Sequence, residues 1–228
     1  MLAGLTRWIQ NRKQEAVKAY WRAKRNACAH GPVIFEALQE EERRALTRVL
    51  EFGASWGGNL QYLMERLPGL QGVGVDVNPV VTELAETLQG YRGIVGDERA
   101  LAQLPDHAFS LAFTVSVLDH IPHADVVENI ISHLVRIADR VLLVEPWIEG
   151  VHREVSGKIR NAIKPGLPRG HKPFAPHCFV WDYDAMLRRQ QMEWRKTPMP
   201  LHEASLGPFY HLYDIRPRTG VSVGMVAA

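Results

Sequence analysis

Arg48-Val49-Leu50-Glu51-Phe52-Gly53-Ala54-Ser55-Trp56-Gly57-Gly58-Asn59 is the stretch on which the fold turns. An apolar strand carries an acid near its end, enters a glycine-rich bend and leaves it as a helix. Glycine belongs where the backbone takes positive φ, or where a ligand must touch main chain with no Cβ in the way. About twenty residues on, Val73-Gly74-Val75-Asp76-Val77-Asn78-Pro79 again ends a strand in an acid. That is the distance at which a carboxylate accepts hydrogen bonds from ribose hydroxyls.

Outward from these two segments, short apolar runs alternate with helical stretches, the pattern of parallel βαβ units. Strands are expected at 48–52, 72–76, 93–95, 111–115 and 140–144, and helices at 58–67, 79–88, 100–104 and 124–137. Asn78 is a good N-cap, Pro79 suits a first helical position, and Gly90 can end that helix. Beyond Pro146 the alternation stops. A last helix over 181–192 and an antiparallel pair, 193–200 with 209–215, would complete the sheet. The fold expected is α/β and Rossmann-like: a mostly parallel, seven-stranded sheet sandwiched by helices.

The first thirty residues read as helix, with Leu5, Trp8, Ile9, Val17, Tyr20 and Trp21 at helical spacing and a strongly basic opposite face. His30-Gly31-Pro32 breaks that segment, and a second helix is expected over 34–46. The organisation is then a helical cap over 1–46 and a ligand-binding domain over 47–218. An irregular excursion over 149–178, rich in Gly, Pro and His, interrupts the domain, and a tail spans 219–228.

Composition narrows the function. The 228 residues are 46% hydrophobic and carry 27 Lys and Arg against 25 Asp and Glu, which describes a globular chain and excludes a disordered or fibrous one. A net charge of +2 is too small for a dedicated nucleic-acid binder. No apolar run approaches the ~20 residues that span a bilayer. The N-terminal residues lack the apolar core and cleavage site of a secretory signal, so a cytoplasmic location is expected. Cys28 and Cys178 form neither a metal spacing nor a disulfide framework, and no metal is expected.

Two ligands compete for the bend after the first strand. A dinucleotide loop wants G-x-G-x-x-G to seat a pyrophosphate at the helix start. Here that frame reads Gly53-x-Ser55-x-x-Gly58, without the central glycine, and it sets Glu51 close to the phosphates. S-adenosylmethionine (SAM) carries no phosphate; its sulfonium and amino groups are cationic, and an adjacent acid favours them.

The segment Glu51-Phe52-Gly53-Ala54-Ser55-Trp56-Gly57 resembles motif I of the class I SAM-dependent methyltransferases, and three further landmarks are similar to that family in order and spacing. Asp76 resembles its ribose-binding acid. Gly96-Asp97-Glu98 resembles the segment after strand three that meets the adenine amino group. Val115-Ser116-Val117-Leu118-Asp119-His120-Ile121-Pro122 resembles its strand-four motif, and Leu142-Leu143-Val144-Glu145-Pro146 its fifth strand. The likeness covers 48–146 and little else.

The resemblance implies SAM as cofactor, with Gly53, Ala54, Ser55 and Gly57 bringing backbone to the methionine part and Glu51 supporting the loop and the amino group. It implies that Asp76 holds the ribose and that Val77 packs on one adenine face. Asp97 would contact the adenine N6 with Glu98 beside it, and Ser116 would border the transferring methyl. Asp97 and Ser116 also suit ordinary turn chemistry.

A hydroxyl acceptor needs a base. His120 follows strand four, and His177, with His152 and His171, lies in the excursion. That excursion concentrates Arg153, Lys158, Arg160, Lys164, Arg169 and Lys172 against Glu154, which favours an anionic acceptor. A small molecule or glycan is expected ahead of RNA, because Val115-Ser116-Val117-Leu118 lacks the Pro-Pro-aromatic signature of base-amine methylation. An accessory SAM-binding module and an NAD-dependent oxidoreductase stay open.

Overall fold

The structure, a computed structural model, describes residues 30–147, 154–155, 178–199 and 210–216. The chain forms two compact units, Met1–Ala100 and Leu101–Ala228. Seven strands make one mixed sheet of order β3-β2-β1-β4-β5-β9-β8, with helices flanking it.

The first unit begins with α1 (Gly31–Glu36) and α2 (Glu40–Ala45), followed by β1 (Arg48–Phe52), α3 (Gly58–Arg66) and β2 (Gln71–Asp76). A 3₁₀ helix (Pro79–Glu86), β3 (Tyr91–Val95) and the start of α4 (Glu98–Ala102) complete it. β2 lies parallel to both β1 and β3. Four of the five β1 residues and the middle of β2 are buried, as expected of strands covered on both faces. Leu60, Leu63 and Met64 give α3 its buried side.

Two helices differ from expectation. The single helix expected over 34–46 divides at 37–39, because the Glu42 carboxylate accepts the Gln39 backbone N–H at 2.8 Å and restarts the helix at Glu40. α1 starts at Gly31, ahead of the start expected at 34, with Pro32 in its first turn, where the missing N–H costs nothing. The segment expected as an α-helix over 79–88 is 3₁₀. Its Val81 carbonyl is claimed by the Tyr91 hydroxyl at 2.9 Å, which draws off an acceptor that an α-helical turn would use. Asn78 caps it as expected, accepting the Val80 N–H at 3.1 Å.

The second unit holds β4 (Leu111–Val115), a 3₁₀ turn (Leu118–His120), α5 (Ala124–Ile137) and β5 (Val141–Pro146). After these come β6 (Glu154–Val155), β7 (Cys178–Phe179), α6 (Tyr183–Arg189), β8 (Glu193–Pro198) and β9 (Tyr210–Arg216). β4 and β5 are buried along their whole length and run parallel. α5 presents Val127, Ile130, Ile131, Leu134 and Val135 to the core, a helical stripe readable at 3.6-residue spacing. β9 pairs antiparallel with β5 and with β8, so the expected terminal pair forms. The last helix is shorter than expected, starting where Asp182 accepts the Ala185 N–H at 2.9 Å. β6 lies within the stretch expected to be irregular, over 149–178, and β7, with which it forms a short antiparallel pair, at its end.

The basic helix over 1–29, most of the excursion over 149–178 and the tail over 219–228 lie outside the described residues. Among the described residues no helix is long and apolar enough to cross a membrane, and no group of three or more His, Cys, Asp or Glu could hold a metal ion.

Candidate active site

Within the first unit, three positive-φ residues fall in five positions after β1: Gly53 at 77°, Ser55 at 50° and Gly57 at 83°. The backbone N–H groups of Gly53 and Ala54 both reach the Val75 carbonyl, at 2.7 and 3.2 Å, which pins the bend against the end of β2. The Ser55 N–H donates to one Asp76 carboxylate oxygen and the Asn78 N–H to the other, each at 2.7 Å. Burial raises the Asp76 pKa, and the two N–H bonds pull it back. Each oxygen keeps spare lone pairs for a ligand hydroxyl.

Gly57 has an internal reason to be glycine beside its positive φ. A Cβ there would lie 2.7 Å from Leu84 and 2.9 Å from the Tyr91 hydroxyl, and one at Gly74 would lie 2.4 Å from that same hydroxyl. The glycines make room for a buried tyrosine beneath the bend.

Glu51 is 2% exposed. Its Oε1 accepts from Asn59 Nδ2 at 2.6 Å, while Oε2, also buried, finds no partner among the described residues. Burial pushes its pKa up to about 8; the Asn59 bond opposes the rise and the Asp76 charge adds to it. Asn59 is itself held, because its Oδ1 accepts the His30 backbone N–H at the entry to α1.

At the ends of the neighbouring strands, Val77 and Val95 are exposed apolar side chains. The Gly96 N–H donates to the Asp76 carbonyl at 2.9 Å, fastening the turn after β3 to the end of β2. Asp97, in that turn, grips the Arg99 guanidinium, with Nε at 3.0 and 3.1 Å from its two oxygens. That pairing holds the Asp97 carboxyl below its ordinary range. Glu98 follows in the first turn of α4. The structure therefore gathers Glu51, Gly53, Ala54, Ser55, Gly57 and Asp76 around one bend and sets Val77 and Asp97 at adjacent strand ends.

The second unit has its own polar cluster beyond β4 and β5. Ser116, at φ 53°, donates its N–H to the Val144 carbonyl at 2.9 Å. Its hydroxyl lies 2.8 Å from the Tyr210 hydroxyl and 3.4 Å from Asp119 Oδ1. Glu145 Oε1 accepts from the Thr114 hydroxyl at 2.9 Å and from the N–H groups of Val117 and Leu118 at 3.1 and 3.2 Å. Burial first, then the Asp119 charge, raises the Glu145 pKa. Its Oε2 and the buried hydroxyls of Tyr183 and Tyr213 find no partners among the described residues. His120 sets Nε2 3.7 Å from the fully buried Asp119 and keeps about a third of its side chain exposed (35%). His177, His152, His171 and the basic residues between 153 and 172 lie outside the described residues.

Several of these groups carried no role in the sequence reading. Asn59 and Asp119 stand inside quoted motifs, and Glu145 is the acid that closes the fifth strand; an acid at a strand end was a usable signal. Tyr91 and Tyr210 gave none, because their partners are set by tertiary packing.

A glycine bend between two strand-end carboxylates, on a mixed seven-stranded sheet, is an arrangement of the Rossmann-like class. Residues 50–141 match the family model described as "Methyltransferase domain", and the seven-stranded sheet with its flanking helices has the Rossmann-like fold of the class I SAM-dependent methyltransferases. Such a domain implies SAM as methyl donor. No curated protein matches the chain.

Solved structures share the fold at low identity. One is the 1,6-didemethyltoxoflavin-N1-methyltransferase of Burkholderia thailandensis, bound to 1,6-didemethyltoxoflavin and S-adenosylhomocysteine. It is 17% identical, with TM-score 0.61, over 94% of this chain and 88% of that one. An O-methyltransferase family protein of the same organism is 12% identical with TM-score 0.62, over 92% of this chain and 61% of that one. Human N-acetylserotonin methyltransferase, in complex with SAM, is 13% identical with TM-score 0.55, over 90% and 55%. The chain thus spans little more than half the length of the last two.

Proposed function

We propose that this chain transfers the methyl group of SAM to an oxygen of a small-molecule or glycan acceptor, with an anionic acceptor favoured. The observation that carries the cofactor half is Glu51, a buried carboxyl with one oxygen lacking a partner among the described residues, close enough to Asp76 to feel its charge. A pyrophosphate would set negative charge against Asp76 and oppose ionisation of Glu51; a cationic nucleoside favours both carboxylates. The positive-φ bend lets backbone approach the ligand without side chains intervening. The residues present therefore fit SAM. In this reading Glu51 receives the ammonium, Asp76 uses its spare lone pairs on the ribose, and Val77 covers the adenine. Asp97 meets the adenine amino group, exchanging some of its hold on Arg99.

When bound, SAM supplies a methyl on a sulfonium, which leaves as a neutral thioether on in-line attack. What remains for the chain is to align the acceptor and take its proton. Orientation supplies several kcal/mol, and a positioned base about 10²- to 10⁴-fold in rate. In the second unit His120 is suited to accept that proton. Asp119, buried 3.7 Å from Nε2, would stabilise the imidazolium and hold the ring, as a buried acid does behind a catalytic histidine. Ser116, strained in the left-handed region and fixed by three contacts, would border the methyl; such strain gathers at functional positions. The anionic preference rests on the basic residues at 153–172.

A thermal-shift screen tests the cofactor, with stabilisation expected from SAM and S-adenosylhomocysteine and none from NAD or FAD. A metabolite extract incubated with methyl-labelled SAM, then resolved by mass spectrometry, tests the acceptor. Labelled RNA, or stabilisation by NAD alone, overturns the proposal.

A further inference from the structure

Asn59 is a primary amide whose two ends are both committed. Nδ2 donates to Glu51 Oε1 at 2.6 Å, and Oδ1 accepts the backbone N–H of residue 30. That double engagement fixes which way the amide points, so Glu51 Oε1 faces a donor and serves as an acceptor. A carboxyl in this setting has one place left for a proton, Oε2, the atom with no partner among the described residues.

Resting on the cofactor reading above, we propose that Asn59 is a positioning residue that confines the Glu51 proton to Oε2, and that binding of the SAM ammonium releases this proton to solvent. The balance is simple: Glu51–COOH and a ligand R–NH₃⁺ become a carboxylate–ammonium pair plus one H⁺ in water, with no bond broken beyond O–H. The other ionisable groups facing Glu51 are Asp76 at the end of β2, whose charge opposes its ionisation, and Tyr91 on β3, a neutral phenol whose own pKa the Glu51 charge raises; the Leu60 backbone N–H favours ionisation. His30 contributes its backbone N–H at the head of α1. Burial keeps Glu51 protonated through neutral pH, and a cation at Oε2 reverses the preference.

The sign follows. Below the raised pKa the free protein must lose a proton to bind, so SAM affinity rises with pH, by up to about tenfold per unit between pH 6 and 7. That window lies below the ordinary range of about 7.7–8.0 for an α-amino group, so the ligand keeps its own charge.

Isothermal titration calorimetry of the full chain, in buffers of different ionisation enthalpy, measures the protons exchanged. About one proton released with SAM, and none with 5′-methylthioadenosine, which has no amino group, is the expected result. Glu51→Gln should bind SAM more weakly and without pH dependence, while 5′-methylthioadenosine binding stays unchanged. Asn59→Leu should cut the preference for SAM over 5′-methylthioadenosine several-fold. If Asn59→Leu weakens both ligands equally, Asn59 is merely structural; if wild-type protein binds SAM with no proton release, the proposal is wrong whatever the variants do. Failure of SAM to bind at all would instead overturn the cofactor reading.

Discussion

Asp76 works for the fold before any ligand arrives, because each of its oxygens already holds a backbone N–H, at Ser55 and at Asn78. Asp76→Ala therefore loses two charge-assisted bonds as well as the proposed ribose contact. SAM Kd should rise about 10- to 100-fold, the worth of one charged hydrogen bond or two, as calorimetry would show. His120→Ala and Asp119→Asn test the transfer step of the proposed function. Each should lower kcat about 100-fold with SAM affinity unchanged, measured with the acceptor that the labelled-donor screen yields. Tyr210→Phe removes one hydroxyl from Ser116 at 2.8 Å, an expected loss of about 1 kcal/mol, or about 2–4 °C in Tm. Glu51, Gly53, Gly57 and Asp76 were legible in the sequence because a strand–bend–helix writes its needs into consecutive residues. The Asn59–Glu51 bond and the Ser116–Tyr210 contact were not. The first requires knowing how α3 lies on β1, and the second joins positions 94 apart.

Among the elements, β1, β4 and α5 have the bounds expected from periodicity alone, since each carries its burial pattern along its full length. The 34–46 and 79–88 segments failed for side-chain reasons invisible to periodicity: a Glu42 carboxylate reaching back to Gln39, and a tyrosine hydroxyl diverting the Val81 carbonyl. β9 depends on a different kind of contact. Arg140, just before β5, meets Asp214 of β9 through Nε at 2.8 Å and a second nitrogen at 2.9 Å, with both side chains about nine-tenths buried. Removing one partner of such a pair leaves a buried charge and costs about 3–5 kcal/mol. Asp214→Ala should therefore lower the denaturant midpoint with the slope unchanged, and drop Tm by at least about 6 °C. A shift within error would mean that β9 is held by its backbone ladder alone.

For the whole molecule, the two buried glutamates set the response to pH. Glu51 and Glu145 both have folded pKa values raised from 4.5, chiefly by burial, so these two groups hold more protons in the folded chain than in the unfolded one between about pH 4.5 and 8. Their contribution is fully present at low pH and is lost as pH rises towards about 8. Ligand-free protein should accordingly show a falling Tm between about pH 5 and 8, and saturating SAM should flatten the slope by meeting Glu51 as a carboxylate. A Tm that climbs over this range would show that the glutamates ionise freely in the fold. The sheet also has two ends, β3 and β8, whose outer edges pair with no further strand among the described residues. β8 guards its end with exposed Glu193 and Arg195 and with Pro198, which has no N–H to offer. Valines at 195 and 198 would turn that rim into a sticky template, and the first symptom would be turbidity at high concentration rather than any loss of methyl transfer.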